Sequence, residues 1–347
     1  MIYHELGHTG LRVSALGLGT NRLRLCTQAE ATAIINRLLD RGINYISSGY
    51  HETQALIGNA VSHRRSEYFI SSKATRPTAQ GVRESIEESL RLLKTDYVDI
   101  YEMDFVNNNR EVAEHMGPGG AYEALLEAKQ KGLIRHIGLT SHRPDIIARL
   151  IGQGLFETTL CMVSFVQQYA LTEVLPVARR MGVGVISMRP TDHGALRPSE
   201  RALAFALHSG VDVVLSGITS VEQVDYNLAA AERAWAMSPE EVAALKAEAA
   251  ALPSTGCRNC NQCACPYELR IGFVLPLFYY RQKYGLLTTG DSPAMSDKEP
   301  AGEQMWARNA ERAKVAAQHC ATCGQCEPMC PFGIPIVKYV QEIAAGA

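Results

Sequence analysis

The sequence has no long hydrophobic run and no strong excess of either charge. No stretch approaches 18 uninterrupted apolar residues, and the N-terminus, MIYHELGHTGLRVSALGLG, has no basic segment followed by an apolar core. The 34 Lys and Arg residues nearly balance the 36 Asp and Glu residues, so the net charge of −2 supplies no basic field for nucleic acid or acidic lipid. We therefore expect a cytoplasmic protein with neither a nucleic-acid partner nor a membrane partner.

A dinucleotide-binding glycine motif is also missing. Gly17-Leu18-Gly19 begins such a motif, but Arg22 stands where the third glycine is needed. With 46% apolar and 20% charged residues, 28 Gly and 15 Pro, the composition excludes disorder, collagen-like repeats and coiled coil. The length of 347 residues suits a (β/α) barrel of about 250 residues with an appendage of about 100.

Short strand-like runs alternate with helical patterns between residues 13 and 236, which is typical of a parallel sheet built from βαβ units. The runs are VSALGLGT (from Val13), INYISS (from Ile43), YFISSK (from Tyr68), YVDIYEM (from Tyr97), IRHIGLTS (from Ile134), TTLCMVSF (from Thr158), GVGVISM (from Gly182) and DVVLSG (from Asp212). Eight such units favour an α/β fold of the (β/α)8 TIM-barrel type over an open sheet, because closure leaves no edge strands. Active-site residues are then expected at the C-terminal ends of the strands.

A change of pattern near residue 253 predicts a second domain. A helix begins at Ser238, and the residues Pro253-Ser254-Thr255-Gly256 then break the helical pattern. We place a barrel domain at residues 1–252 and a small, mainly helical domain at residues 253–347.

Eight of the ten cysteines lie in this second domain. One run has the pattern C-x2-C-x2-C-x-C-P, and the other has C-x2-C-x2-C-x3-C-P, the spacing of bacterial ferredoxins. In the absence of a secretory signal, such runs indicate metal ligands more than disulfides. The predicted metal ligands are Cys257, Cys260, Cys263, Cys265, Cys320, Cys323, Cys326 and Cys330.

Two [4Fe-4S] clusters with exchanged fourth ligands are predicted from these runs, because the fourth cysteine of each run serves the other cluster in two-cluster ferredoxins. One predicted ligand set is Cys257, Cys260, Cys263 and Cys330, and the other is Cys320, Cys323, Cys326 and Cys265. The alternative is a pair of structural zinc sites, although a zinc ribbon normally separates its two C-x2-C pairs by a longer gap. Cys26 and Cys161 stand alone and receive no role, since isolated cysteines are commonly small buried hydrophobes.

Several segments together carry a family resemblance. They are LGHTGLRVSALGLGT, LLDRGINYISSGYHETQALIGNAV, SLRLLKTDYVDIYEMD, ALLEAKQKGLIRHIGLTSH, LPVARRMGVGVISMRP, GITSVEQVDYNLAAA and both cysteine runs. The chain resembles the aldo-keto reductases of the branch with a C-terminal ferredoxin-type 4Fe-4S domain. The resemblance implies a (β/α)8 barrel that binds NADP(H) at the strand ends and reduces carbonyls without a metal in the barrel. It also implies a catalytic Asp, Tyr, Lys and His, in which the Tyr is the general acid and the Lys lowers its pKa.

Half of this catalytic set is present. Tyr50 matches the acid and Lys73 matches the lysine, but Ser47 replaces the Asp and Asp104 replaces the His. The first replacement removes a carboxylate partner of Lys73, and the second removes an imidazole that orients the carbonyl. Asp104 has two candidate roles: it replaces the lost carboxylate partner, or it acts as an acid/base group. In the alternative interpretation, Tyr50 is an ordinary aromatic at the barrel mouth and Asp104 is a solvated loop residue.

The cofactor site implied by the resemblance is also only partly matched in this sequence. The candidate cofactor-binding residues are Ser141, His142, Arg189, Gly217, Thr219 and Ser220. The first two end the fifth strand, and the last three lead into the eighth helix, whose free N–H groups can bind phosphate. The segment GITSVEQVDYN contains no Lys or Arg, so Arg189 is the nearest basic candidate and both NAD and NADP remain open. Capping and surface solvation are the alternative roles for Ser141, Ser220 and Arg189.

These features favour an iron–sulfur oxidoreductase that acts on a small carbonyl, alcohol or related compound and passes electrons through two clusters. Hydride transfer moves two electrons and cluster chemistry moves one, so coupling them requires a flavin, a radical intermediate or a redox partner protein. One alternative is an electron-transfer or docking subunit with an altered barrel. The other is an NAD(P)H-dependent carbonyl reductase whose clusters are purely structural.

Overall fold

The computed structural model describes residues 1–49, 51–191, 199–251, 257, 260, 262–284 and 302–346. Within these residues, eight parallel strands close into a barrel in chain order, and the last strand pairs with the first. After an N-terminal hairpin of β1 (Tyr3–Glu5) and β2 (Arg12–Ser14), the barrel strands are β3 (Leu16–Gly19), β4 (Tyr45–Ser47), β5 (Phe69–Ala74), β6 (Val98–Met103), β7 (Ile134–Thr140), β8 (Thr158–Met162), β9 (Gly184–Met188) and β10 (Val213–Gly217). Each strand falls within one predicted run to within one residue, so the (β/α)8 prediction is confirmed.

Helices follow the barrel strands and bury one face against them. They are α1 (Gln28–Asp40), α2 (His51–Val61), α3 (Ala79–Leu93), α4 (Asn109–Met116), α5 (Ala121–Gln130), α6 (Pro144–Ile151), α7 (Tyr169–Glu173), α8 (Leu175–Met181), α9 (Ser199–Leu207), α10 (Val221–Trp235) and α11 (Pro239–Ala250). Helix α1 begins with a capping box in which Thr27 and Glu30 satisfy each other's backbone N–H groups. Ser220 caps α10 by accepting a hydrogen bond from the Gln223 backbone N–H.

The hairpin β1–β2, which the sequence analysis did not anticipate, closes the N-terminal end of the barrel. Leu6, Leu11 and Val13 pack into the barrel interior with Tyr45 and other inward side chains. Gly7, at a φ of +53°, touches the start of β9 so closely that a Cβ there would lie 2.3 Å from the Gly184 nitrogen. With this end sealed by side chains, the strand ends at the opposite face are left for a site.

A buried ion pair near the N-terminal end of β6 holds neighbouring strands together. The Asp99 carboxylate is 1% exposed and accepts hydrogen bonds from Arg65 Nη2 at 2.6 Å and from the Ile70 backbone N–H at 3.0 Å. Arg135 adds a longer contact, with its Nη1 3.3 Å from Asp99 Oδ1. Residues at the N-terminal end of such a barrel serve stability, whereas catalytic residues lie at the opposite end. We therefore assign a stabilising role to Asp99 and its two arginine partners.

Asp99→Asn is expected to lower the free energy of unfolding by about 3 kcal/mol, because it removes one partner of a buried ion pair and leaves the Arg65 guanidinium uncompensated. Urea denaturation followed by circular dichroism under reducing conditions measures this loss. The control is Asp96→Asn, at an exposed position, for which a change within about 0.5 kcal/mol is expected. Equal stability of the two variants would contradict the assignment.

The described part of the C-terminal region is helical. Its helices are α12 (Ile271–Tyr284), α13 (Gly302–Cys323), α14 (Cys326–Met329) and α15 (Ile336–Ala344). Phe278 of α12 stacks on Trp306 of α13 with ring centroids 5.9 Å apart, and it also contacts Tyr339 of α15. The helical character is confirmed, whereas the predicted domain break at residues 253–256 lies outside the described residues. Among the helices described, none has both the length and the hydropathy to cross a membrane.

Candidate active site

A large cleft, here called the strand-end cleft, opens at the C-terminal ends of the barrel strands. It has a volume of about 1520 Å³ when its open mouth is included. The predicted site residues that line it are Ser47, Lys73, Asp104, His142, Arg189 and Gly217. Tyr50, the predicted general acid, lies outside the described residues, although its neighbour Gly49 lines the cleft. Six of the predicted residues therefore meet in one space.

Lys73 enters the cleft from β5 and forms an ion pair with a carboxylate that the sequence analysis missed. Its Nζ donates a short hydrogen bond to Glu102 Oε2 on β6 and lies 3.4 Å from Ser47 Oγ. Glu102 is fully buried, and the Lys73 side chain is 13% exposed. The partner carboxylate of Lys73 is therefore Glu102, and the expectation that the replacement partner is Asp104 is corrected.

A signal for Glu102 was present in the sequence. Side chains alternate across a strand, so Glu102 shares a face with Ile100, which packs inside the barrel. A charged residue on the inward face of a strand is rarely buried without a partner. The partner could not be identified from β6 alone, because Lys73 lies opposite Glu102 only through the register of β5 on β6.

Asp104 lies immediately after β6 and faces the cleft. Burial raises the pKa of its carboxyl group to about 6, the Lys73 ammonium opposes this increase, and the Glu102 carboxylate adds to it. The next residue, Phe105, has a φ of +57° and places its ring edge-on to His142 at 4.7 Å. A positive φ at a residue other than glycine is uncommon, and such strain concentrates at functional sites.

Three arginines give the cleft a cationic wall. Arg22 and Arg24 follow β3, and Arg189 follows β9 with a φ of +58°. Burial, and then the charge of Arg24, lowers the pKa of Arg22 to about 10. Arg22 runs across Gly217, where a Cβ would lie 2.8 Å from Arg22 Cδ. The sequence pattern after β10 did not indicate Arg22 and Arg24, because only the closing of β10 onto β3 brings them beside Gly217.

The other predicted cofactor residues serve local structure and lie outside the strand-end cleft. Ser141 is 1% exposed, and its hydroxyl donates to the Val106 carbonyl at 2.6 Å. The Thr219 backbone N–H donates to Gln223 Oε1 at 2.8 Å, and Ser220 caps α10. These contacts agree with the capping alternative for Ser220.

Four cysteines from both runs meet beside the barrel. They line a partly open cavity of about 320 Å³, and they are Cys257, Cys260, Cys263 and Cys330. Burial raises the pKa of the Cys263 thiol to about 12, and the nearby Cys330 thiol adds to the increase. Gln167, in the segment after β8, donates to the Cys257 carbonyl at 2.9 Å and so connects this cavity to the barrel.

The remaining cysteines of the two runs are also near one another. Burial raises the pKa of Cys326 to about 11, with further contributions from Cys320 and Cys265. The pKa of Cys320 is raised by burial and then by Cys265 and Cys323. In the described part of the chain, no three His, Cys, Asp or Glu side chains are arranged to hold a single metal ion.

Comparisons with known proteins agree with the barrel fold. The chain is 29% identical to L-galactose dehydrogenase of Arabidopsis thaliana, with 65% of this chain and 86% of that protein covered. It is 27% identical to D-threo-aldose 1-dehydrogenase of a Pseudomonas species, with 55% and 70% covered. Among solved structures, the holo form of an aldo-keto reductase from Bacillus halodurans superposes with a TM-score of 0.61 at 25% identity, over 72% of this chain and 96% of that one.

The family assignment rests on a match to the family as a whole. Residues 15–202, more than half of the 347-residue chain, match the aldo/keto reductase family. This segment includes the strands that carry Lys73 and Glu102, the adjoining Asp104, and the arginines of the cleft wall. An eight-stranded barrel with its cleft at the strand ends and a family match of this extent show that the chain is an oxidoreductase of the aldo/keto reductase family.

Proposed function

We propose that this protein transfers hydride between a nicotinamide nucleotide and a small carbonyl or hydroxyl compound, with sugars as the first class to test. The observation that carries the proposal is that Lys73, paired with the buried Glu102, lines the same cleft as Asp104 and three arginines. The names of two relatives, L-galactose dehydrogenase and D-threo-aldose 1-dehydrogenase, support sugars as substrates.

The cleft is suited to a nucleotide with phosphate groups. Arg22, Arg24 and Arg189 supply positive charge along one wall, and Gly217 leaves the space that the Arg22 side chain occupies. We assign these arginines to the phosphates and His142, which lines the cleft, to the nicotinamide end. When bound, the nucleotide supplies or accepts the hydride.

The chain's own residues then handle the proton. Tyr50 is proposed as the group that gives a proton to the carbonyl oxygen, or takes it from the alcohol. Lys73 places a positive charge beside that oxygen, where negative charge develops during reduction. Asp104 supplies a carboxylate to the same space, which suits it to take on the proton that Tyr50 receives when an alcohol is oxidised.

Calorimetric titration of the purified protein with NADPH and NADH tests this function directly. We expect saturable binding of at least one of them, together with nucleotide-dependent turnover of an aldose or another small carbonyl. Absence of both binding and turnover would favour the alternative of an electron-transfer or docking subunit with an altered barrel.

Asp104→Asn is expected to lower the rate of alcohol oxidation about 10²-fold and to remove a pH dependence centred near 6. The carboxylate is the form that accepts a proton, so the wild-type rate should fall as the pH drops through the Asp104 pKa of about 6. The measurement is kcat against pH from 5 to 8. A near-normal rate in the variant would make Asp104 a bystander.

The same substitution is expected to raise the free energy of unfolding by about 1–2 kcal/mol at pH 7. The pKa of Asp104 is higher in the fold than in the unfolded chain, so the folded state loses stability as the pH rises from about 4 to about 6. Asparagine carries no charge to bury and avoids this loss. A variant that is both slower and more stable identifies a functional group, whereas a slower and less stable one would indicate damage to the fold.

We further propose that residues 253–347 form a domain that binds two [4Fe-4S] clusters. The cavity that Cys257, Cys260 and Cys263 share with Cys330 supports the exchanged ligand set, because Cys330 belongs to the other run. A zinc ion would draw four sulfurs to within about 4 Å of one another, given Zn–S bonds of about 2.3 Å. A cubane binds each thiolate to a different iron, so it requires no such convergence at one point.

These clusters would supply one-electron chemistry at the side of the barrel. Gln167 connects the cysteine cavity to the barrel, and the Arg143 guanidinium lies over the Phe332 ring that lines this cavity, 5.3 Å from its centroid. We propose that electrons enter or leave through a redox partner protein that contacts this domain. Full turnover by NAD(P)H with the clusters removed would favour clusters that are purely structural.

A further inference from the structure

We propose that Glu102 is a positioning residue of this active site, in which it fixes the Lys73 ammonium from a strand different from the one that carries Ser47. The inference rests on the proposed function and concerns the geometry of its proton-handling group. Ser47 occupies the place where the family resemblance implies a carboxylate. The structure has a hydroxyl there and a carboxylate on β6 instead.

The barrel is built to accommodate this carboxylate. Glu102 lies opposite Lys73 on one side and opposite Gly138 of β7 on the other. A Cβ at position 138 would lie 2.9 Å from Glu102 Cγ and 2.6 Å from Thr158 Oγ1. Glycine at this position therefore leaves space for the Glu102 side chain inside the barrel.

Stability alone is a poor reason to keep this ion pair. A fully buried carboxylate loses its hydration, and an ion pair recovers that loss only when its remaining oxygens are hydrogen-bonded. Glu102 Oε1 is buried and has no hydrogen-bond partner among the described residues. The carboxylate is thus incompletely satisfied as a structural element, while its other oxygen holds Lys73 at the edge of the cleft.

The two possible carboxylate positions lie around the same ammonium. Lys73 Nζ contacts Glu102 on β6 and lies 3.4 Å from Ser47 Oγ at the end of β4. An aspartate at position 47 would therefore reach Nζ. If the role of Glu102 is to fix Lys73, a carboxylate at position 47 should take over when Glu102 is neutralised.

A charge-relocation experiment tests this. Glu102→Gln is expected to lower kcat about 10- to 100-fold with unchanged nucleotide affinity, since misplacing a catalytic group by about 1 Å can cost 10²-fold. The double variant Ser47→Asp with Glu102→Gln is expected to recover at least about tenfold of that loss, because position 47 again supplies a carboxylate to Nζ. A normal rate in Glu102→Gln, or no recovery in a double variant that keeps its melting temperature, would overturn the proposal.

A second readout does not depend on activity. The rate at which Lys73 is acylated by acetic anhydride in the full chain, followed by mass spectrometry of its peptides, should rise about tenfold in Glu102→Gln, because the amine is no longer held in the ion pair with Glu102. The double variant should return this rate toward the wild-type value. If the wild type shows no turnover, the proposed function fails, and the labelling rates still decide the role of Glu102: an unchanged rate would overturn it.

Two further variants, one conservative and one at a distant position, serve as controls. Glu102→Asp keeps the charge and shortens its reach, so its kcat and its labelling rate should lie between those of wild type and Glu102→Gln, and it replaces the latter if that variant fails to fold. Glu88→Gln removes a half-buried carboxylate that pairs with Arg91 on α3, away from Lys73, and should change neither readout. An effect of Glu88→Gln equal to that of Glu102→Gln would also overturn the proposal.

Discussion

Lys73→Met should lower kcat/KM by about 10²- to 10⁴-fold while leaving the barrel folded. This range is typical for the loss of a group that assists proton transfer. The Lys73 ammonium contacts both Glu102 and Ser47. Methionine replaces lysine with a side chain of similar length that carries no charge. Steady-state kinetics at several pH values, with circular dichroism to verify the fold, measures the effect.

Tyr50→Phe is the companion to this experiment. If Tyr50 gives the proton and Lys73 supports it, each single variant should lose most of the turnover, and the double variant should be little worse than either, because groups that act as one unit are strongly non-additive. Both variants should bind nicotinamide nucleotide as the wild type does. Full activity of Tyr50→Phe on the true substrate would show that the barrel does not use aldo-keto reductase chemistry, and the cluster-centred function would become the better one.

The second large effect concerns the cysteines. Protein purified without oxygen should be brown and contain roughly eight iron atoms and eight acid-labile sulfides per chain, as two cubanes require. Stoichiometric zinc without sulfide would contradict this prediction. Because cluster binding by a cysteine-rich domain contributes to its folding, loss of the clusters should also lower the stability of the C-terminal region and increase its proteolysis.

Serine substitutions can reveal the exchanged ligand sets. Cys263→Ser and Cys330→Ser should each remove the same cluster, although the two residues belong to different runs, because both line one cavity. Cys323→Ser should remove the other cluster. The control is Cys26→Ser, at a cysteine that contacts the Thr219 carbonyl in the barrel, and it should keep both. Electron paramagnetic resonance of the reduced variants distinguishes the clusters; different spectra for Cys263→Ser and Cys330→Ser would argue against the exchange.

The sequence by itself determined the barrel and the position of its cleft. Strand runs and helix caps depend on residues that are close along the chain, so the alternation of runs between residues 13 and 236 was enough to predict eight strands in the right places. Lys73 and Asp104 were found for the same reason, since each ends or follows a strand. The spacing within each cysteine run is equally local, which is why the cysteines could be proposed as metal ligands without a structure.

Only the tertiary structure decided which side chains meet. The partner of Lys73 depends on the register of β5 on β6, and the cationic wall depends on the closure of β10 onto β3, which joins segments about 200 residues apart in sequence. The placement of Cys330 beside the first cysteine run depends likewise on the packing of the C-terminal helices. Strand register and barrel closure are set by packing across the whole sheet, so no short segment of sequence contains them.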